Sequence, residues 1–183
     1  MTRVLGIDPS LTGTGLALLD TDDHLVIPTE TITTKGAAGA TLAERRDRLE
    51  RIVDTIVIKA INHDTELAVI ETPALSKANT GTSMLNGLWW MLVTRLDAVD
   101  VDVIEVGAGQ LKTYATGKGN ASKDAVLLAV ARRYPHVDVR DNNQADALVL
   151  AAIGARLVGH PVDELPATHV RALAKVARPG IAA

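Results

Sequence analysis

Val4-Leu5-Gly6-Ile7-Asp8-Pro9-Ser10 decides how the rest of the chain is read. An apolar run of this kind is a buried strand, and it ends on a carboxylate. Pro9 has no N–H to give a ladder and ends the strand directly after the acid. A carboxylate at the end of a buried strand is costly unless something charged stands beside it. The same design recurs at Leu67-Ala68-Val69-Ile70-Glu71, followed by Thr72-Pro73. Near the C-terminus, Asn143 and Asp146 open the apolar pattern Ala147 to Ile153. Two strand-end acids and an acid on a helix point to one metal site. Clustered carboxylates holding Mg²⁺ are a way to cut phosphodiesters.

Working outward, residues 2–8 form the first strand. Gly13-Thr14-Gly15 allows a tight turn into a second strand, 15–20, and the turn Thr21-Asp22-Asp23 leads to a third, 24–34. Short turns between strands imply an antiparallel meander. A helix over about 41–62 places Leu42, Leu49, Ile52, Val53 and Ile56 on one face; Glu44, Arg45, Asp47, Arg48 and Arg51 read as a solvated face. Strand 66–71 is apolar throughout, hence central and parallel. A helix over 80–98, a strand over 101–106 and helices near 107–115, 121–134 and 143–158 follow. Gly159 and Pro161 end the last of these.

The pattern predicts an α/β fold: a mixed five-stranded sheet, three antiparallel strands and then two parallel ones, flanked by helices. Strands one and four then lie side by side, which brings Asp8 to Glu71. Residues 1–160 read as one domain and 161–183 as a weakly helical tail that frays at Arg178-Pro179-Gly180.

Composition narrows the function. The 183 residues fit one domain with a sizeable core. With two Trp, two Tyr and no Phe, that core is built from Val, Ile, Leu and Ala. The absence of Cys excludes disulfides, thiolate zinc sites and Cys nucleophiles. No stretch is long enough to span a bilayer, and the N-terminus leads straight into a strand, so a cytoplasmic protein with no membrane partner is expected. The net charge of −3 argues mildly against nucleic acid. Active-site acids lower that number, and a local basic patch is still strong.

Such a patch lies around Thr116-Gly117-Lys118-Gly119-Asn120-Ala121-Ser122, with Lys112 and Lys123 at its flanks. Gly-Lys-Gly exposes backbone N–H groups, and Ser122 can cap the next helix, so the segment could cradle a phosphate. It lacks the spacing of a Walker A loop. Arg132 and Arg133 either extend this basic face or serve a helix C-terminus. Each acid also has a plainer reading. Asp8 could cap a turn, or sit in the Asp-x-x-x-x-Gly loop of an actin-like ATPase. Glu71 could end an edge strand in water, and Asp141 to Asn143 could be an N-cap cluster. A Glu after an apolar run fits its plain reading poorly. Positions 143 and 146, at i and i+3, share one helix face.

Four segments resemble the RuvC-type Holliday junction resolvases, within the RNase H-like nucleases. They are Val4 to Ser10, Val69-Ile70-Glu71, Leu111-Lys112 through Gly117 to Lys123, and Gln144-Ala145-Asp146-Ala147-Leu148. They occur in the family's order across roughly residues 2–157. The resemblance implies four acidic ligands on two divalent metals, Mg²⁺ with Mn²⁺ as substitute. Asp8, Glu71 and Asp146 match three of them. The fourth falls on Asn143, a neutral amide that can still ligate Mg²⁺ but removes one negative charge; Asp141 is a possible stand-in from the preceding turn. The family often has an aromatic residue just after the second acid. Here Thr72-Pro73-Ala74-Leu75 follows instead, which puts junction-sequence selectivity in doubt. The low pI and small size suit a phage-encoded or otherwise divergent member.

By the same resemblance the protein is a metal-dependent endonuclease that resolves four-way junctions or other branched DNA. Asp8 bridges two metals, and Glu71, Asp146 and Asn143 complete their shells. Lys112, Lys118, Lys123, Ser122 and Asn120 hold phosphates. A two-fold homodimer sets one site on each of two opposed strands. The helix with Met84, Leu85, Leu88, Trp89 and Trp90 is the candidate interface, with either one tryptophan inward and one toward the partner or both buried in the core. The alternatives are a related nuclease acting on flaps or structured RNA, a non-cleaving junction-binding protein, and an actin-like phosphotransferase, whose second domain is missing.

Overall fold

A computed structural model describes residues 2–22, 25–73 and 79–176, with the side chains of 25–28 left aside. The strands are β1 (Arg3–Asp8), β2 (Gly13–Asp20), β3 (Leu25–Thr33), β4 (Leu67–Glu71) and β5 (Asp102–Val106). The helices are α1 (Leu42–Asn62), α2 (Thr80–Asp97), α3 (Ala108–Thr116), α4 (Lys123–Arg133), α5 (Asn142–Leu157) and α6 (Ala167–Val170), and a 3-10 turn spans Arg171–Lys175. The sheet has five strands in the order β3-β2-β1-β4-β5. β1–β2 and β2–β3 are antiparallel, and β1–β4 and β4–β5 are parallel. This is the expected mixed sheet, and β1 does lie against β4.

Both faces of the sheet are covered at its centre, which is why β1, β2 and β4 are largely apolar, whereas the edge strands β3 and β5 carry Glu30, Asp102 and Glu105. Leu5, Ile7, Leu16, Leu18, Ala68 and Ile70 pack with Leu49, Ile52, Val53 and Ile56 of α1 and Leu88, Leu92 and Leu96 of α2. Val4, Leu19, Leu67, Val69 and Ile104 pack on the other face with α3, α4 and α5. Side chains alternate across a strand. Asp8 therefore shares a face with Val4, and Glu71 shares one with Leu67 and Val69. Both acids belong to the α5 face.

That helix comes unusually close to the sheet. A Cβ on Gly6 would stand 2.0 Å from the Ala147 carbonyl oxygen, and one on Gly15 would stand 2.0 Å from the Asn143 carbonyl oxygen. The glycines of β1 and β2 thus make room for a helix backbone. The turn expected of Gly13-Thr14-Gly15 lies earlier. Both glycines are in β2, and Thr14 Oγ1 donates to the Ser10 carbonyl at 2.7 Å to close the preceding loop.

Other expectations are corrected at the surface of α1. Its N-terminus has a capping box between Thr41 and Glu44. Leu42, in its first turn, is 76% exposed and not part of the core. Arg48 is half-buried: it donates to Thr34 Oγ1 at 2.9 Å and to the Leu11 carbonyl, tying α1 to the loops beside β1 and β3. After residue 160 the chain packs back on the α3–α5 side, with Ala172 and Val176 buried in the same core. The fraying expected at 178–180 falls outside the described residues, as does Ala74-Leu75. No described helix is long and apolar enough to cross a membrane.

Candidate metal centre and phosphate-binding rim

Three elements deliver one acid each. Ile7 pairs in register with Ile70, so Asp8 and Glu71 leave adjacent parallel strands at the same level. Asp146 descends from α5 where its backbone sits on Gly6. One oxygen from each of Asp8, Glu71 and Asp146 lies within 4.8 Å of the others. Asp8 is 9% and Asp146 7% exposed. The acids line a cavity of about 270 Å³ with Pro9, Thr72, Pro73, Leu85, Ala108, Leu111, Lys112 and Lys123.

The electrostatics are those of carboxylates crowded together in a partly desolvated site. Burial first, then the Glu71 and Asp146 charges, push the Asp8 carboxyl up to about 8 from 3.8. Burial and then Glu71 push Asp146 up to about 6. Glu71 is raised, again by burial, while its hydrogen bond with Asp8 acts the other way. A hydrogen bond joins the Asp8 and Glu71 carboxyls, raising the first and lowering the second. Lys112 and Lys123 oppose the upward shift at Glu71 and Asp146. An acid trio this crowded is the donor set a hard divalent cation fits: oxygen ligands only, with a cavity to admit it.

The other predicted residues are placed less uniformly. Asn143 does not line the cavity. It lies one turn before Asp146, with its amide nitrogen 3.0 Å from where a Gly13 Cβ would stand. Asp141 is committed elsewhere, which corrects the idea of it as a stand-in ligand. It is the N-cap of α5, accepting from the Gln144 N–H at 2.8 Å and from the Thr31 hydroxyl at 2.7 Å. Lys112 and Lys123 line the acid cavity, whereas Lys118, Asn120 and Ser122 lie outside it. Lys118 and Asn120 are exposed on the turn between α3 and α4. Ser122 caps α4, its hydroxyl accepting from the Ala125 N–H at 3.2 Å. Arg133 does not extend a basic face; it turns inward to the Ala115 carbonyl at 2.6 Å and to Asp163 at 3.7 Å.

Of the candidate interface residues, Leu88 is core and Leu85 lines the acid cavity. Trp90 is 61% exposed, and Trp89 stands edge-on to it at 4.9 Å. Trp89 has a role that sequence reasoning missed. Its indole N–H donates to the Glu71 carbonyl at 3.1 Å and holds the end of β4. Gln144 is another: its buried amide oxygen accepts from Thr29 Oγ1 at 3.0 Å and from the Arg140 N–H at 2.9 Å, locking the start of α5 to β3. In the sequence it sits among Asp141, Asn142 and Asn143 and looks like one more polar residue of a helix start, so no signal singled it out.

The family model for the crossover junction endodeoxyribonuclease RuvC matches residues 4–154. A RuvC endonuclease of Paracidovorax citrulli is 33% identical over 151 residues, covering 81% of each chain. One of Chlamydia trachomatis is 32% identical over 171 residues, 91% of this chain and 98% of that one. Among solved structures, Thermus thermophilus RuvC bound to a Holliday junction substrate superposes with a TM-score of 0.69 at 20% identity, covering 87% of this chain and 98% of that one. The fold is therefore shared, and the matched residues span every acid of the candidate centre. On these grounds the chain belongs to the RuvC family of crossover junction endodeoxyribonucleases.

Proposed function

We propose that this protein is a metal-dependent endonuclease that resolves four-way DNA junctions by hydrolysing phosphodiesters in paired nicks. The observation that carries the reading is the convergence of Asp8, Glu71 and Asp146 within 4.8 Å, on three elements, at an open cavity flanked by lysines. The names of the matched relatives and the junction bound by the Thermus thermophilus protein support the substrate class.

The roles follow from placement. Asp8, the last residue of the central strand β1, would contact two Mg²⁺ ions, with Mn²⁺ as substitute; Glu71 and Asp146 would complete the shells. Asn143, a turn away, is proposed as the fourth, neutral member. Divalent cations held this way supply an activated water and charge stabilisation at the leaving oxygen. Lys112 and Lys123 stand at the cavity rim, where a scissile phosphate must approach. Lys118, Asn120 and Ser122, farther out, are proposed to hold neighbouring phosphates. Trp89 keeps Glu71 in place from behind. A homodimer with Trp90 at its interface would set two sites on opposed strands, and the location proposed for it is the cytoplasm.

The test is a labelled four-way junction with Mg²⁺ or Mn²⁺, comparing wild type with Asp8→Asn and Asp146→Asn. Paired nicks lost by at least ~10²-fold in both variants are expected, since each removes a charge that holds the reaction centre together. Tight junction binding without cleavage in either metal would instead make this a binding protein. Light scattering that finds only single chains would remove the homodimer from the reading.

A further inference from the structure

The segment after residue 160 lies beyond residues 4–154, which the family model matches, yet it is built into the back of the basic rim. Its anchor is Asp163, whose side chain is 2% exposed. Tyr114 of α3 donates its hydroxyl to Oδ1 at 2.8 Å, and Tyr134, the C-cap of α4, donates to Oδ2 at 2.7 Å. Arg156 of α5 donates to Oδ1 at 2.7 Å, and Arg133 stands 3.7 Å from Oδ2. A buried carboxylate with this many donors is compensated, and removing it would strand two guanidinium groups. One carboxylate thus joins α3, α4 and α5.

Past this anchor the chain runs under the end of α3. His169 Nδ1 stands 2.9 Å from the Tyr114 carbonyl, and Arg171 donates to the Gly117 carbonyl at 3.2 Å. Gln110 of α3 donates back to the Ala172 carbonyl at 3.4 Å. Gly117 holds φ +78°, and the His169 ring fills the space beside it, 3.1 Å from where a Cβ would stand. The left-handed Gly117 launches Lys118-Gly119-Asn120, and α3 itself carries Lys112 into the acid cavity. None of the described tail residues lines that cavity.

We propose that the C-terminal segment 163–172 is a positioning element of the DNA interface. Asp163 and His169 set the α3–turn–α4 frame so that Lys112, Lys118 and Lys123 meet substrate phosphates together. The inference rests on the junction-cleaving reading above. It names positioning residues, not catalytic ones.

The test uses the full chain with Mg²⁺ and a four-way junction, separating KM from kcat, for His169→Ala, His169→Asn and Asp163→Asn. His169→Ala removes one hydrogen bond and should raise KM about two- to tenfold with kcat within about twofold. His169→Asn, whose amide can donate near the Nδ1 position, should restore KM. Asp163→Asn should raise KM further and also lower the melting temperature. An unchanged KM in both His169→Ala and Asp163→Asn, even with lower melting temperatures, would mean that the tail only stabilises the fold. A fall in kcat without a change in KM would equally overturn the proposal. Amide hydrogen exchange over residues 112–120 without DNA keeps the two readings apart. Faster exchange in His169→Ala supports positioning even if the wild type fails to cut junctions, and unchanged exchange refutes it.

Discussion

Asp8 is a carboxyl that keeps its proton to about pH 8 because burial and two neighbouring acids oppose its charge. Unfolded, it ionises near 3.8. The folded state therefore binds more protons across that window. The stability this confers is fully present below the unfolded pKa and is lost as pH rises through the folded one. Melting temperature of the metal-free protein should fall from about pH 4 to about pH 8, more steeply than in Asp8→Asn. Adding Mg²⁺ should reverse the fall at the alkaline end, since a cation takes the proton's place. Scanning calorimetry across pH checks this, and a flat wild-type profile would contradict it. Asn143 is tested by charge. A carboxylate one turn from Asp146 adds attraction for a cation, so Asn143→Asp should lower the Mg²⁺ needed for half-maximal cleavage by roughly three- to tenfold. No shift in a Mg²⁺ titration would put position 143 outside the metal's reach.

At the scale of elements, the centre depends on how low α5 rides on the sheet. Gly6 and Gly15 give it that height, and the Asp141 cap with Thr31, Thr29 and Gln144 fixes its start. Gly6→Ala would drive a Cβ to 2.0 Å from the Ala147 carbonyl oxygen, a backbone atom that cannot swing away. The helix must lift, carrying Asp146 off Asp8 and Glu71. Denaturant unfolding should show a loss of at least about 2 kcal/mol, a fall of roughly 4–8 °C in melting temperature. Cleavage should drop further than the stability loss explains, because the ligand set opens. Activity retained in a folded Gly6→Ala protein would show that Asp146 tolerates a raised helix.

For the molecule as a whole, an acidic chain must still hold DNA. The net charge of −3 does not describe the site, where Asp8, Glu71 and Asp146 share a cavity with Lys112 and Lys123, and Lys118 is exposed on the turn beyond it. Junction binding should then weaken linearly in log salt. Lys112→Ala should reduce that slope by about 1, the share of one phosphate contact. An unaltered slope would remove Lys112 from the phosphate contacts.

What the sequence determined by itself was local: apolar runs that end on acids, their order, and the turns that make the first strands a meander. These sufficed for the sheet, for the adjacency of β1 and β4, and for Asp8, Glu71 and Asp146 as one set. Strand periodicity is written in consecutive residues, and burial makes an acid at a strand end conspicuous. The tertiary structure alone decided what depends on partners far along the chain. Asp141 is spent on Thr31, Arg48 on Leu11 and Thr34, Arg133 on Ala115 and Asp163, and Trp89 on the Glu71 carbonyl. A charged or capping side chain looks alike in sequence whether it meets water or a buried partner. Only the packing of α5 on the sheet and of the tail on α3 distinguishes the two, because desolvation and hydrogen-bond geometry exist only once those surfaces meet.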